Sequence, residues 1–174
     1  MFRVFRWCKI MKVYLDFDGV ILDTDSVLDK DYSKTIKVDR KEFIKNYDWD
    51  ELLKKSEIIA NSLDNIKKSK YDISILSKIS SMKEGIAKIK YLRDNDIYIN
   101  VHLVPSEVSK SAVVDPKGNI LIDDKIYNLE QWEQNGGTSI FFNKNNLNFD
   151  IYNKENKKYP KINNLEILLT DQIK

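Results

Sequence analysis

Two aspartates one residue apart, Asp16 and Asp18, follow a short apolar run early in the chain, and a glycine comes directly after them. Side chains of a strand alternate between faces, so residues i and i+2 point the same way. Two carboxylates that close repel each other, and they are stable together mainly with a cation between them or with a shared proton. A plain Asp-Gly turn at the end of a strand is the alternative interpretation.

Further polar residues follow two other apolar runs of the sequence. Asp123 and Asp124 come directly after residues 120–122, and Ser77 follows a third run. In sheets of parallel strands, ligands bind outside the carboxyl ends of the strands. If these runs are parallel strands, Asp16, Ser77 and Asp123 gather at one edge of a sheet. For the second acidic pair, an exposed loop or a helix N-cap is the alternative.

Acidic residues without histidine or cysteine make a hard oxygen site, which suits Mg²⁺ rather than zinc. A lysine and a hydroxyl beside such a site suggest a phosphate, with Lys110 offsetting its charge and Ser77 donating a hydrogen bond. One carboxylate can then attack the phosphorus, and a second can protonate the leaving group and later activate water. Ser77 as a plain strand-end hydroxyl and Lys110 as a solvated lysine are the alternatives. Other candidates for the lysine are Lys78, Lys83 and Lys88.

The elements that must position these residues alternate between strand and helix. This order predicts an α/β domain, a Rossmann-like three-layer sandwich with a mostly parallel sheet. Strands are expected at residues 13–17, 72–77, 97–104, 120–122 and 138–142. Amphipathic spacing predicts a helix over residues 82–94, and a last helix could close the chain over residues 163–173. The highly charged residues 24–70 have a helical pattern and are expected to form a small lobe inserted after the first strand.

Composition excludes several classes of protein. The single cysteine, Cys8, allows no internal disulfide and fits a reducing cytoplasm, and the single histidine, His102, argues against a Ser-His-Asp triad. A net charge of +2 with scattered basic residues argues against a nucleic-acid partner, and no apolar run is long enough to span a membrane. Residues 1–10 are basic and aromatic; either Met11 is the natural start, or these ten residues form an extra strand or arm.

The motifs and their order resemble those of the haloacid dehalogenase (HAD) superfamily of phosphatases. Residues 16–20 (DFDGV) match the first motif of that superfamily, and residues 121–124 (LIDD) resemble its fourth motif, of the double-aspartate type. Ser77 resembles the second motif and Lys110 the third. The resemblance implies a HAD-like core of residues 1–23 and 71–174, with residues 24–70 as a small helical cap.

The resemblance also implies the roles of the site residues. Asp16 would be the nucleophile and Asp18 the general acid and base, while Ser77 and Lys110 would hold the phosphoryl group. Magnesium would be held by Asp16, by the backbone carbonyl of Asp18, and by Asp123 or Asp124, a choice that the motif leaves open. The implied activity is a Mg²⁺-dependent phosphomonoester hydrolase that acts through an aspartyl-phosphate.

Within the superfamily, the chain looks most like the cytosolic 5'(3')-deoxyribonucleotidases. The similarity lies in the short cap, in residues 120–124 with the residues that follow them, and in the aromatic residues 47–50. Trp49 is interpreted either as core of the cap or as a platform on which a base stacks. Ser77 stands where threonine is more usual, and Lys78 follows it. The resemblance therefore implies a small phosphorylated substrate, such as a nucleotide. The alternatives are a phosphatase of another small metabolite, a phosphatase that acts on nucleic-acid ends, and a non-catalytic nucleotide-binding module.

Overall fold

The computed structural model describes residues 11–35, 37–147, 150–152 and 157–173 of the chain. The two interpretations of residues 1–10 therefore lie outside the described residues. The strands are β1 (Lys12–Leu15), β2 (Asp72–Ile79), β3 (Asn100–Pro105), β4 (Ile120–Asp123), β5 (Thr138–Phe142) and β6 (Lys161–Ile162). The α-helices are α1 (Thr24–Tyr32), α2 (Arg40–Asn46), α3 (Trp49–Lys55), α4 (Ser62–Lys67), α5 (Met82–Asp94) and α6 (Ile126–Gln134). In the described ranges, no helix is both long enough and apolar enough to cross a membrane.

The six strands form one parallel sheet in the order β3-β2-β1-β4-β5-β6. Parallel neighbours need crossover connections, which α5 supplies between β2 and β3 and α6 between β4 and β5. The chain leaves β1 toward β2 on one side and later reaches β4 on the other side. The sheet therefore has the order of a Rossmann-like fold, with its topological switch point at β1. This confirms the predicted α/β class and the central place of the first strand.

The two faces of the sheet bury two separate apolar clusters. Leu15 and Ile122 belong to the larger cluster, whereas Tyr14 and Leu121 belong to the smaller one together with Trp132 of α6. Neighbouring residues of each strand thus alternate between the two clusters, as the pleat of a strand requires. Both faces of the central strands are covered, which explains why their sequences are almost continuously apolar.

Four helices, α1 to α4, lie between β1 and β2, in agreement with the predicted helical pattern. Asp39 and Asp48 cap α2 and α3 by accepting hydrogen bonds from backbone N–H groups of the first turn. Trp49, Leu52 and Leu53 of α3 are buried in the same apolar cluster as β1. These helices therefore share the core of the sheet rather than having a separate core.

The end of the chain differs from the prediction. Instead of a helix over residues 163–173, there is a short 3₁₀-helix, Glu166–Leu169, after the two-residue strand β6. Leu165 and Leu168 are fully buried, and a spacing of three places both on one side of a 3₁₀ turn. The third strand also begins later than predicted, at Asn100 rather than at residue 97, and residues 97–99 follow a left-handed Asp96 (φ +57°) that ends the preceding helix.

The fold makes a prediction about Gly137, which precedes β5. A Cβ atom built on this residue would lie 2.9 Å from Cε2 of the fully buried Trp132. We expect Gly137→Ala to lower the free energy of unfolding by about 1–3 kcal/mol, because a packed core resists added volume. Urea denaturation measures this change. Gly118→Asn is the control, since a Cβ there meets nothing within 4 Å and asparagine tolerates its φ of +70°. Equal midpoints for the two variants would contradict the prediction.

Candidate active site

The register of the sheet brings two of the predicted acids together. Leu15 pairs with Ile75 of β2 on one side and with Ile122 of β4 on the other. Asp16 and Asp123 each follow one of these paired residues, and the backbone N–H of Asp16 still donates to Ile122, at 3.0 Å. Both acids therefore emerge at the carboxyl edge of neighbouring central strands.

Asp16, Asp123 and Asp124 form a cluster in which ligand oxygen atoms lie within 4.8 Å of one another. Asp16 and Asp123 are buried, and Oδ1 of Asp124 is buried with no hydrogen-bond partner among the described residues. Burial, together with the charge of Asp16, raises the pKa of Asp124 to about 7. Burial also raises the pKa of Asp16, although Lys110 opposes the shift. The unsatisfied oxygen and the hard donor set fit a divalent cation such as Mg²⁺.

Lys110 is the lysine that reaches this cluster. It lies on a 3₁₀-helix, Lys110–Ala112, that follows β3, and its side chain is only 1% exposed. Its Nζ is 2.9 Å from Oδ1 of Asp16 and 2.5 Å from Oδ2 of Asp123. Burial lowers the pKa of Lys110, but the two carboxylates outweigh burial and raise it. The side chain therefore stays protonated and offsets part of the negative charge of the cluster.

The two acids of the second pair have different surroundings. Asn128 of α6 donates to both carboxylate oxygens of Asp123, at 3.1 and 2.9 Å, and the backbone N–H of Lys125 donates to Oδ1 at 2.8 Å. Asp124 instead accepts from the ammonium of Lys125 at Oδ2, at 2.9 Å, and keeps Oδ1 open. The open oxygen makes Asp124 the better placed of the two to contact a cation. Asn128 follows the fourth motif in the sequence, but one asparagine in a helix carries no signal of such a contact.

Gly19 allows the loop after β1 to pack against Asp124. Its backbone is left-handed (φ +75°), a conformation that glycine adopts without steric cost. A Cβ at this position would lie 2.8 Å from Cγ of Asp124. Any other residue would therefore strain the loop and displace the carboxylate of Asp124.

The carboxylate of Asp18 is not part of the acidic cluster. It accepts from Oγ1 of Thr24 at 2.7 Å and from Nζ of Lys88 at 2.5 Å. The alternation expected from a strand does not apply here because β1 ends at Leu15 and the chain turns. The two aspartates of the first motif thus have separate partners: Asp16 contacts Lys110 and Asp18 contacts Lys88.

Ser77 lies on the Lys88 side of the site rather than beside Lys110. Its hydroxyl is fully buried, donates to the carbonyl of Lys78 at 3.3 Å and accepts from Nζ of Lys88 at 3.1 Å. Of the remaining candidate lysines, Lys83 is exposed, and Lys78 lies over the ring of Tyr127 at 5.1 Å. From the sequence, Lys88 is one of four candidates for the lysine of the site. Its burial could not be predicted, because a buried lysine leaves no signal in the local sequence.

Trp49, the residue considered as a platform for a base, is only 4% exposed. Its indole N–H donates to the carbonyl of Ile44 at 3.1 Å, and its ring lies 5.0 Å from Nζ of Lys88. This burial is that of a core side chain, which was the other of the two interpretations. The ammonium of Lys88 nevertheless contacts both Trp49 and Asp18, so these two residues are separated by one side chain.

Comparisons with known proteins identify the fold. No sequence model of a protein family matches the chain, and no curated protein matches it. Among solved structures, a HAD-hydrolase of Bacillus subtilis bound to magnesium has a TM-score of 0.61 at 13% identity, over 91% of this chain and 96% of that one. A HAD-superfamily hydrolase of subfamily IA from Geobacter sulfurreducens has a TM-score of 0.57 at 12% identity, over 90% and 96% of the two chains.

A D,D-heptose 1,7-bisphosphate phosphatase from Burkholderia thailandensis is also similar, with a TM-score of 0.52 at 13% identity, over 90% of this chain and 94% of that one. At these identities the likeness concerns the fold alone. The chain has the fold of the HAD-superfamily hydrolases, with an acidic cluster at the carboxyl edge of its sheet.

The open oxygen of Asp124 predicts its role in cation binding. We expect Asp124→Asn to weaken Mg²⁺ binding by about 10- to 100-fold, because it removes a charge from the cluster. Calorimetric titration with MgCl₂ measures the affinity. Asp94→Asn, an exposed acid at the end of α5, serves as the matched control and should bind Mg²⁺ like the unmodified chain. Unchanged affinity in Asp124→Asn would rule out this residue as a ligand.

Asp123 should behave differently because it is fully buried against Lys110. We expect Asp123→Asn to lower the free energy of unfolding by about 3 kcal/mol, since it leaves a buried ammonium with one carboxylate fewer. Chemical denaturation in the absence of Mg²⁺ measures this loss. Asp124→Asn should lose far less stability in the same experiment, and equal losses in the two variants would contradict the distinction between them.

Proposed function

We propose that the chain is a Mg²⁺-dependent phosphomonoester hydrolase that acts through an aspartyl-phosphate. The observation that carries this proposal is the surroundings of Asp16. Its carboxylate lies at the carboxyl end of the central strand, 2.9 Å from the buried ammonium of Lys110 and within the cluster that includes the open oxygen of Asp124. A carboxylate between a fixed ammonium and a cation site can approach a phosphate despite the negative charge of both groups.

The residues that would hold the metal are Asp16, Asp124 and the backbone carbonyl of Asp18. Bound Mg²⁺ would offset the charge of the phosphate and keep the attacking carboxylate ionised. We assign Asp123 the task of orienting Lys110, since Lys110, Asn128 and a backbone N–H already use both of its oxygens. This assignment chooses between the two acids that the sequence left open.

In the first step, a carboxylate oxygen of Asp16 attacks the phosphorus, and the bond from phosphorus to the ester oxygen breaks. The carboxyl group of Asp18 gives its proton to that oxygen, so the leaving group departs as an alcohol. In the second step, water attacks the phosphorus of the aspartyl-phosphate and gives a proton to Asp18. The bond to Asp16 breaks, which releases inorganic phosphate and restores the enzyme, while Lys110 and Ser77 hold the phosphoryl oxygens.

The substrate is proposed to be a small phosphorylated molecule, with residues 24–70 acting as a cap above the core formed by residues 1–23 and 71–174. The resemblance to the 5'(3')-deoxyribonucleotidases supports a deoxyribonucleoside monophosphate. The burial of Trp49 removes one reason for that choice, because a side chain that is 4% exposed offers no face to a base. The bisphosphate phosphatase with the same fold supports phosphorylated sugars as the second class to test.

The role of Asp16 predicts the effect of its removal. We expect Asp16→Asn to lower kcat on the order of 1,000-fold or more, since an amide cannot form the acyl-phosphate. The measurement is release of inorganic phosphate from p-nitrophenyl phosphate with and without MgCl₂, and Asp94→Asn is the control for the loss of one acidic charge. Full activity of Asp16→Asn would exclude the aspartyl-phosphate mechanism. Nucleotide binding without turnover by the unmodified chain would instead indicate a binding module.

A panel of phosphomonoesters tests the substrate class separately. We expect higher kcat/KM for deoxyribonucleoside 5'- and 3'-monophosphates than for hexose and heptose phosphates, compared at equal concentrations of MgCl₂. The opposite order would remove the nucleotide assignment and leave the phosphatase mechanism in place. Turnover of oligonucleotide ends would contradict the expectation that scattered basic residues disfavour a nucleic-acid partner.

A further inference from the structure

Lys88 is a fully buried lysine of α5 that has no part in the mechanism above. Its Nζ lies 2.5 Å from Oδ2 of Asp18, 2.6 Å from Oε1 of Glu84, 3.1 Å from Oγ of Ser77 and 3.1 Å from the carbonyl of Lys78. A buried ammonium is costly unless its hydrogen bonds are satisfied by close partners. Four acceptors around one Nζ therefore indicate a specific structural requirement for a cation at this position.

Glu84 fixes the place of this ammonium from within α5. It lies one turn before Lys88 on the same face, is 3% exposed, and contacts Lys88 through Oε1. Its other oxygen accepts from the backbone N–H of Ser80 at 2.7 Å, in the turn between β2 and α5. The carboxylate of Glu84 is thus tied to the backbone, and it gives Lys88 an anchor within the core in addition to Asp18.

Two aromatic rings cover the same ammonium. The ring of Phe17, in the first motif, is 5.5 Å from Nζ of Lys88, and the ring of Trp49, in α3, is 5.0 Å away. Aromatic faces attract a cation at such distances and keep water from it. The helical residues 24–70 therefore contribute one wall of the Lys88 pocket through Trp49.

The contacts of Asp18 show what the pocket does. Lys88 donates to Oδ2, and the hydroxyl of Thr24 donates to Oδ1, so both oxygens are held and the carboxyl cannot rotate freely. An ammonium can only donate, whereas a hydroxyl can also accept. Oδ1, beside the hydroxyl, is therefore the oxygen of Asp18 that can carry a proton. Oδ2 cannot carry it while it accepts a hydrogen bond from Lys88.

We propose that Lys88, anchored by Glu84 and covered by Trp49, is a positioning residue that holds the carboxyl of Asp18 for proton transfer to the leaving group. This inference rests on the proposed phosphatase function, in which Asp18 protonates the ester oxygen. It differs from a role of Lys88 in binding the phosphoryl group, which its contact with Ser77 would also allow. The two roles predict different dependences on the leaving group.

The experiment compares phenyl phosphate with p-nitrophenyl phosphate, two esters of similar size. Nitrophenolate leaves readily without a proton, whereas phenolate depends on the general acid. We expect Lys88→Met to lower kcat/KM for phenyl phosphate by about 100-fold and for p-nitrophenyl phosphate by less than about tenfold. The inhibition constant of inorganic phosphate should stay within about twofold of its original value, because Lys88→Met leaves Lys110 and the hydroxyl of Ser77, the two proposed phosphoryl contacts, in place.

Two further variants make the result specific. Glu84→Gln keeps Lys88 and removes its anchor, and it should show the same selective loss for phenyl phosphate to a smaller extent, even if Lys88→Met does not fold. Lys90 is an exposed lysine on the same helix, with its Nζ 3.4 Å from the surface acid Asp50, and Lys90→Met should leave the ratio of the two esters unchanged. Circular dichroism establishes that each variant is folded.

Each other outcome overturns a defined part of the proposal. Equal losses for the two esters in Lys88→Met and Glu84→Gln would make Lys88 a structural residue only. A strongly raised inhibition constant for inorganic phosphate in Lys88→Met would make it a phosphoryl ligand. If the unmodified chain is inactive on both esters, the phosphatase function itself is wrong, and with it the role of Lys88. If the unmodified chain is active but the variants do not show the selective loss, only the positioning role of Lys88 is wrong.

Discussion

The buried contact of Lys110 with Asp16 and Asp123 is the interaction on which the site depends. Parallel pairing of β1 with β4 forces two carboxylates to neighbouring strand ends, where burial and the charge of Asp123 both raise the pKa of Asp16. One ammonium within 3 Å of both offsets this repulsion only in part. The remaining negative charge, with the open oxygen of Asp124, is what makes this edge suited to a cation and then to a phosphate.

A second lysine divides the site into two halves. In one half, Lys110 contacts Asp16, at which the bond to phosphorus would form. In the other half, Lys88 contacts Asp18, which would give a proton to the leaving group. The division explains how two aspartates one residue apart can have different tasks: β1 ends before them, and each carboxylate turns toward its own buried cation. The helical residues 24–70 contact the second half through Trp49, which belongs to the same apolar cluster as Phe17 of the first motif.

Much of this arrangement could be predicted from the sequence, because apolar runs that end in acids mark the strand ends of a parallel sheet. This pattern places Asp16 and Asp123 at one edge, whereas it leaves Lys110 as one of four candidate lysines, favoured by the resemblance. The orientation of Asp18 could not be predicted, since strand alternation fails one residue past the end of β1. The partners of Lys88 could not be predicted either, because Asp18 is far from Lys88 in sequence and only the fold joins them. The expected last helix is replaced by a short 3₁₀ turn, in which Leu165 and Leu168 are both buried in the larger apolar cluster; this tertiary contact has no signal in the local sequence.

The strand order also has a consequence for the order of events as the chain is made. Val13 pairs with Ile73 on one side and with Ile120 on the other, so the central strand is synthesised before both of its neighbours and gains the second one late. Contacts between residues so far apart in sequence form slowly. Until β4 has left the ribosome, one hydrogen-bonding edge of β1 has no neighbour, and Asp16 does not have Asp123 beside it. A nascent chain that stops short of residue 123 therefore carries the first motif without the two acids that join Asp16 in the cluster.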